Sequence, residues 1–371
     1  MRSTLDELIA ELGDLKTLVE SMETVNRVLA AHKDTEARRY VSIRRRFVYA
    51  AFVHALYTSF EKFVENLITE YARLEARHVD YAALPRKLTD KHLLKSAELL
   101  CRSKRLGEGR YAGMSGLDVV RNLFDCLNGA KPYALNVAAV IAHEANLRST
   151  EVDGMFGVLG IENICDRACR ADAMMAWYCD DQGLKAPRGA VKLGVIVARL
   201  NDIVERRNQV AHNGYAPIEL LADKEMSDAV AFIESLARSI FGIVIGRYLQ
   251  DHHGASTSRV ELTLRDERSG PYKKGSVVVV NKPAQRLFVG QPAFIIVEST
   301  GARWGRIQSL RLDGADISEV VANTSAPNGV GVELDFKYPR NPKEKLIALS
   351  DSDDAVWSPL ESVVAPSISE R

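Results

Sequence analysis

The sequence predicts two domains of different class, an all-α helical bundle over residues 1–254 and a small all-β barrel or sandwich over residues 255–371. Three observations predict this. The chain has 371 residues, more than one small domain usually needs. Before the stretch "DHHGASTS" apolar residues recur every three to four positions, which is the period of a helix; after it they recur every second position, the period of a strand. In the second part Gly, Pro, Asn and Asp fall between short β-branched runs, as turns between strands require.

In the first part, Thr4 and Glu7 have the spacing of a capping box ahead of an apolar repeat that runs to Ala31. A second long helix is expected from Thr35 to Arg77. A shorter one follows Pro85 in "RKLTDKHLLKSAELLCRS". The four glycines of "RLGEGRYAGMSG" mark a loop, and "LDVVRNLFDCLNG" resumes as a helix stopped by Gly129. Another helix starts at Ser149 or Thr150. "AVKLGVIVARLNDIVERRNQVAHNG" reads as a strong helix with Gly214 just past its end, where a left-handed residue is welcome. "EMSDAVAFIESLARSIFGIVIGRYLQ" closes the helical part. The expected strands are "RVELTLR", "GSVVVVN", "RLFVG", "AFIIVES", "RIQSLRL", "GVGVELDF" and "KLIALSD", and "APSISER" is expected to be a frayed tail.

Lys+Arg and Asp+Glu both number 49, so the chain as a whole is no electrostatic glove for nucleic acid, and any such contact needs a local patch. Five cysteines form no paired framework, which fits a reducing cytosol. Cys165-x3-Cys169 with Cys179 nearby has metal-binding donors, but no His at finger-like spacing completes the set, so neither a metal nor a cofactor is expected. The N-terminal stretch "MRSTLDELIAELGDLKTL" has no apolar core of the signal-peptide kind, and no run approaches the roughly 18 apolar residues of a membrane span. These readings predict a cytoplasmic protein with no membrane contact.

The chemistry gathers in "ERRNQVAHNGY", residues 205–215. An Arg-x4-His spacing also occurs at Arg27/His32, Arg73/His78 and Arg247/His252, so spacing alone decides nothing; the setting of Arg207 and His212 differs. Leu193, Ile196, Leu200 and Ile203 make an apolar stripe, and at ~100° per residue Arg207 falls on it. A guanidinium is almost never buried without partners, so this one must face an ion pair, a partner subunit or an anionic ligand. Asn208 and His212, four apart, share a face beside it. The helix C-terminus favours the cationic form of a His there, which suits a group that holds and passes a proton. Two readings stay open: a solvated helix end with its cap, or an active strip.

The residues around this motif resemble the HEPN superfamily. "LNDIVERRNQVAHNGY" is similar to its Arg-x4–6-His motif in the common R-N-x-x-A-H form. "FVYAAFVHALYTSFEKFVENLITEY" looks like the long second helix of the RiboL-PSP-type branch, and "ANLRSTEVDGMFGVLGI" like that branch's N-L-R segment. The resemblance covers roughly residues 35–250, with 77–145 standing as an insertion-like stretch. It implies a helical bundle that forms a homodimer. It also implies a metal-independent endoribonuclease in many members, often a toxin or antiviral defence effector with an antitoxin or defence-system partner protein, and a non-catalytic binding module in others.

Under that resemblance RNA is the substrate, with its own nucleophile in the 2′-hydroxyl. His212 would serve as general acid or base, Arg207 would hold the scissile phosphate, and Asn208 would orient His212 or donate to a phosphate oxygen. A twofold dimer would supply a second His212 for the second proton transfer. Glu61 and His54 read as polar groups embedded in the apolar second helix. Glu61 falls at the family's Glu position, where it would pair with Arg207 or His212, or else belong to a buried pair that only joins helices. Arg38 over Arg45 and Arg39 over Arg46 make a basic stripe that reads as an RNA grip or as a solvated face. The β-rich part faintly resembles the second-domain barrel of translational GTPases through its "VG", "IQSLRLDG" and "VGVEL" stretches; Trp304 and Trp357 read there as core or as binding aromatics.

Overall fold

A computed structural model describes residues 1–31, 35–102, 106–108, 111, 113–185, 189–213, 219–254, 259–264, 271–297, 301–324, 328–339 and 345–357. The helices are α1 (Arg2–Ala31), α2 (Thr35–His78), α3 (Arg86–Cys101), α4 (Gly116–Leu127), α5 (Val137–Val140), α6 (Ser149–Val158), α7 (Ile164–Ala168), α8 (Asp172–Asp181), α9 (Leu193–Asn213) and α10 (Asp223–His253). The strands are β1 (Arg259–Leu262), β2 (Val277–Val280), β3 (Leu287–Phe288), β4 (Pro292–Val297), β5 (Gly301–Leu312), β6 (Ala315–Ile317), β7 (Glu319–Val320), β8 (Val330–Leu334) and β9 (Leu346–Leu349). The chain divides into two compact units, Ser3–Val244 with Met1, and Ile245–Arg371 with Arg2; the last turns of α10 thus group with the strands.

The helical unit is organised around α2. Leu8, Leu12, Leu15, Val19 and Met22 of α1 are buried at alternating spacings of four and three. Lys62 of α2 ties that helix down, with Nζ 2.8 Å from Glu11 and 3.5 Å from Glu7. In α2 the rows Phe52-Leu56-Phe60-Phe63-Leu67 and Val53-Tyr57-Val64-Ile68-Tyr71 are all buried, leaving Ala51, His54, Thr58 and Lys62 as an exposed row. His54 is therefore exposed rather than embedded. The reason is angular: it sits about 40° off the axis of its apolar stripe, on the side turned toward the exposed row. The Thr4 capping box does not form either. The helix already begins at Arg2, and Thr4 Oγ1 donates back to the Met1 carbonyl at 2.6 Å.

The stretch 77–145 carries α3, α4 and α5, joined by a buried polar network. His92 has no exposed surface, and its Nε2 accepts from the Asn136 backbone N–H at 2.9 Å. Nε2 is therefore unprotonated; the proton sits on Nδ1, 3.0 Å from the Tyr81 hydroxyl. Burial pushes the His92 pKa down to about 4. The Asn136 amide donates to Ser96 Oγ and to the Val119 carbonyl, both at 3.0 Å, so one side chain satisfies two helices. Ser115 and Asp118 form a reciprocal capping box at the start of α4, a signal the apolar pattern had hidden.

Helix α10 corrects one expectation. It is long and apolar enough to cross a membrane by length and composition, with a mean hydropathy of 1.7 over its most apolar window, yet 72% of that window is buried in the protein. Residues 239–246 are all buried, as in a core helix, while Ala231, Arg238 and Arg247 of the same helix are exposed.

In the second unit the strands form a curled antiparallel sheet of order β1-β9-β4-β5-β8-β2, with β6 paired to β5 and a separate β3-β7 pair. Strand β5 is long because it serves two neighbours, β4 along its first half and β8 along its second, with an irregularity between Ile307 and Ser309. The edges approach through an isolated bridge between Leu264 and Val280. Alternate residues of β1, β2 and β8, such as Val260, Val278, Val280, Val330 and Val332, line its core. Trp357 is buried and donates from Nε1 to the Gly305 carbonyl at 2.7 Å, a core role. Asp353 clasps the end of α10: its Oδ2 accepts from the Tyr248 hydroxyl and from His253 Nε2, both at 2.8 Å. Burial pushes that carboxyl up, but these bonds and the one from the Ala355 N–H outweigh it and hold its pKa below the usual value.

Candidate functional site

Arg207 and its neighbours are brought together by three elements. Helix α9 supplies Arg207, Asn208 and His212. Helix α2 supplies Tyr57 and Glu61. The non-helical linker 141–148, between α5 and α6, supplies Asn146. Helix α9 lies against α2 because its apolar stripe, Ile196, Leu200, Ile203 and Val204, is buried. Continuing that stripe by one turn points Arg207 into the same seam, as its position in the sequence predicts.

The guanidinium is half-buried and held in place. Its Cζ lies 5.0 Å from the centroid of the Tyr57 ring, in cation–π contact. One Nη donates to Asn146 Oδ1 at 3.3 Å and to Asn208 Oδ1 at 3.2 Å. Both acceptors are neutral carbonyls, and no carboxylate forms an ion pair with Arg207 among the described residues. The preceding Arg206 contrasts with it. Its Nε lies 2.9 Å from Asp202 Oδ2, so its charge is compensated within its own helix, and it also donates to the Tyr49 hydroxyl at 3.1 Å. Of two adjacent arginines, one is neutralised and the other is positioned with its charge available.

Asn146 is the keystone that sequence reasoning did not single out. Its Nδ2 donates to Asn208 Oδ1 at 3.2 Å while its Oδ1 receives Arg207, so one amide fixes two motif residues. With its oxygen occupied twice, Asn208 is left its amide N–H groups to donate. Tyr57 is the second missed residue. Its ring is 2% exposed; its hydroxyl donates to Glu61 Oε1 at 3.0 Å and accepts the Leu147 backbone N–H at 3.1 Å. Burial, with the neighbouring Glu61 carboxylate against it, pushes the phenol up to about 12, so it stays a neutral donor. The available signal was the N-L-R segment: Asn146 and Leu147 make these contacts, and Arg148 donates to Asn201 Oδ1 of α9 at 2.8 Å.

Glu61 pairs with neither Arg207 nor His212. It accepts from the Tyr57 hydroxyl and lies 3.8 Å from His143 Nε2 in the linker. His212 is exposed, one turn beyond the seam, and Asn213 is the last residue of α9. Gly214 lies outside the described residues. Beside the motif runs an open groove of about 730 Å³, lined by Phe47, Val48, Ala50, Ala51 and His54 of α2 and Val210 and Ala211 of α9. Phe47 is 48% exposed there.

The basic stripe lies on α2 just before the groove, Arg46 directly preceding Phe47. Arg39, Arg45 and Arg46 are exposed, and Arg44 donates to Asn26 Oδ1 of α1 at 3.0 Å; the Arg38 side chain lies outside the described residues. Cys165 and Cys169 are buried thiols whose Sγ–H groups point at the Ser149 and Cys165 carbonyls, and burial pushes both pKa values up, that of Cys169 to about 11. Among the described residues no three His, Cys, Asp or Glu side chains gather as a metal site.

A long α2 crossed by a helix ending in an Arg-Asn-x3-His strip defines a HEPN-type domain. The sequence profile of the RiboL-PSP-HEPN family matches residues 16–245, well over half of the chain, and the chain belongs to that family. Curated proteins give no match to it. The match ends before the curled sheet.

Proposed function

We propose that this chain is a metal-independent endoribonuclease of the HEPN type that acts as a homodimer, as a toxin or antiviral defence effector. The observation that carries the reading is the Arg207 guanidinium, fixed by neutral acceptors and an aromatic face with its charge left available in a half-buried seam. Holding a cation in such a place without a counter-ion costs desolvation energy, and an incoming phosphate repays it.

RNA cleavage needs an in-line geometry, one proton removed and one supplied. The 2′-oxygen bonds to phosphorus as its proton leaves to a base, and the bond from phosphorus to the 5′-oxygen breaks as that oxygen takes a proton. His212 from each of two subunits would serve these transfers, Arg207 would hold the phosphate, and the Asn208 N–H groups would donate to its oxygens. Pairing across the groove of Phe47, Ala51 and His54 would bury its apolar wall and set the two α9 ends face to face. The products are a 2′,3′-cyclic phosphate and a 5′-hydroxyl.

One observation favours a second reading, a non-catalytic RNA-binding or interaction module: His212 is exposed and makes no bond to another described residue. Purified protein incubated with total RNA and EDTA, wild type beside His212→Ala, separates the two. Cleavage by the wild type alone, with unchanged dimer mass in both, is the expected result. Equal cleavage by both proteins overturns the catalytic assignment, and RNA binding without cleavage by either selects the second reading.

A further inference from the structure

We infer that His143 is the positioning residue of this site: it straps the linker 141–148 onto α2 so that Asn146 meets Arg207 and Asn208. The geometry is specific. The His143 side chain is 7% exposed. Its Nδ1 lies 2.8 Å from the Ala145 carbonyl and its Nε2 3.0 Å from Glu65 Oε1, with Glu61 Oε1 at 3.8 Å. A carbonyl oxygen and a carboxylate both only accept, so both ring nitrogens must donate, and only the imidazolium does that. Its first bond folds the linker back on itself at Ala145, immediately before Asn146. Its second anchors the linker to the same helix whose Tyr57 receives the Leu147 N–H.

The charges around it are consistent with a held cation. Glu61 and Glu65 face it from α2. Its neighbour Glu144 is drawn off to Lys95 of α3 at 3.1 Å, and Lys95 also meets Glu98 at 3.0 Å. Arg102 shares the small cavity on that side, and Arg207 stands beyond Tyr57. The hydrogen bond donated to Glu65 raises the His143 pKa above its ordinary value, against the opposing effect of burial. The strap therefore holds at low and neutral pH and is lost as pH rises through that raised value, when the ring surrenders one of its two donors.

The consequence for RNA cleavage rests on the ribonuclease reading; the strap itself does not. The test is amide hydrogen exchange on the full chain, corrected for intrinsic rates, in wild type, His143→Gln and Glu65→Gln. Protection of the Leu147 amide should fall about tenfold in His143→Gln at pH 6. The wild type should converge on that value as pH rises, and Glu65→Gln should converge at lower pH because its imidazolium has lost its carboxylate. Equal protection in all three proteins at every pH overturns the strap. In parallel, the alkaline limb of RNA cleavage should move to lower pH in Glu65→Gln. Altered protection with no cleavage by any protein sinks the ribonuclease reading and leaves the strap standing.

Discussion

Tyr57→Phe isolates what one oxygen does for this site. The ring stays beneath Arg207, so the cation–π contact at 5.0 Å is retained, while the hydroxyl's bonds to Glu61 and from the Leu147 N–H are removed, together with a long one to Asn146 Oδ1 at 3.5 Å. The Leu147 N–H, in a residue with no exposed surface, is left without its acceptor, which costs about 1–3 kcal/mol. Glu61 loses a donor to a charged group, nominally about 1.5–3 kcal/mol, but its side chain is 28% exposed and water recovers part of that, leaving about 1 kcal/mol. The sum is about 2–4 kcal/mol. Urea unfolding of the full chain, followed by far-ultraviolet circular dichroism, measures it. Tyr57→Leu should cost about 0.5–2 kcal/mol more, because the aromatic face goes as well. A Tyr57→Phe protein within about 0.5 kcal/mol of wild type, inside the range of neutral surface changes, would refute the claim that this hydroxyl fastens the linker to α2.

Two further outcomes follow from the same structure. Because His92 is neutral in the fold, with a pKa of about 4 against an ordinary 6.5, the unfolded chain takes up a proton that the folded one refuses; stability is complete above pH 6.5 and falls as pH drops to 4, by about 3 kcal/mol. His92→Gln should lack that component, and identical pH–stability curves for the two proteins would count against it. Gly246→Ala should destabilise the second unit by about 1–3 kcal/mol despite its better helix propensity, worth about 1 kcal/mol, because the new Cβ would lie 2.6 Å from the Gly301 backbone, which cannot yield as a side chain does; thermal unfolding that improves on substitution would show that the helix and strand can move apart.

Periodicity carried a great deal of this protein. The change from a three-to-four repeat to an alternating one separated helices from strands, and the single continuation Leu193-Ile196-Leu200-Ile203-Arg207 was enough to aim a cation into an apolar seam, because helix geometry converts sequence spacing into direction without reference to the rest of the chain. Periodicity failed where direction depends on a neighbour. His54 and Tyr57 lie on one stripe of α2, yet one is exposed and the other buried, since the apolar face has an edge whose position is set by what packs against it. Glu61 keeps its place on the helix but gives its carboxylate to Tyr57 and the linker instead of α9, because the Tyr57 hydroxyl and the His143 ring, brought there by the fold, lie within its reach. Asn146 and His143 belong to a stretch with no repeat at all. Residues 61 to 90 positions away in the chain decide their roles, and only the packing of α2, α9 and the linker creates those distances.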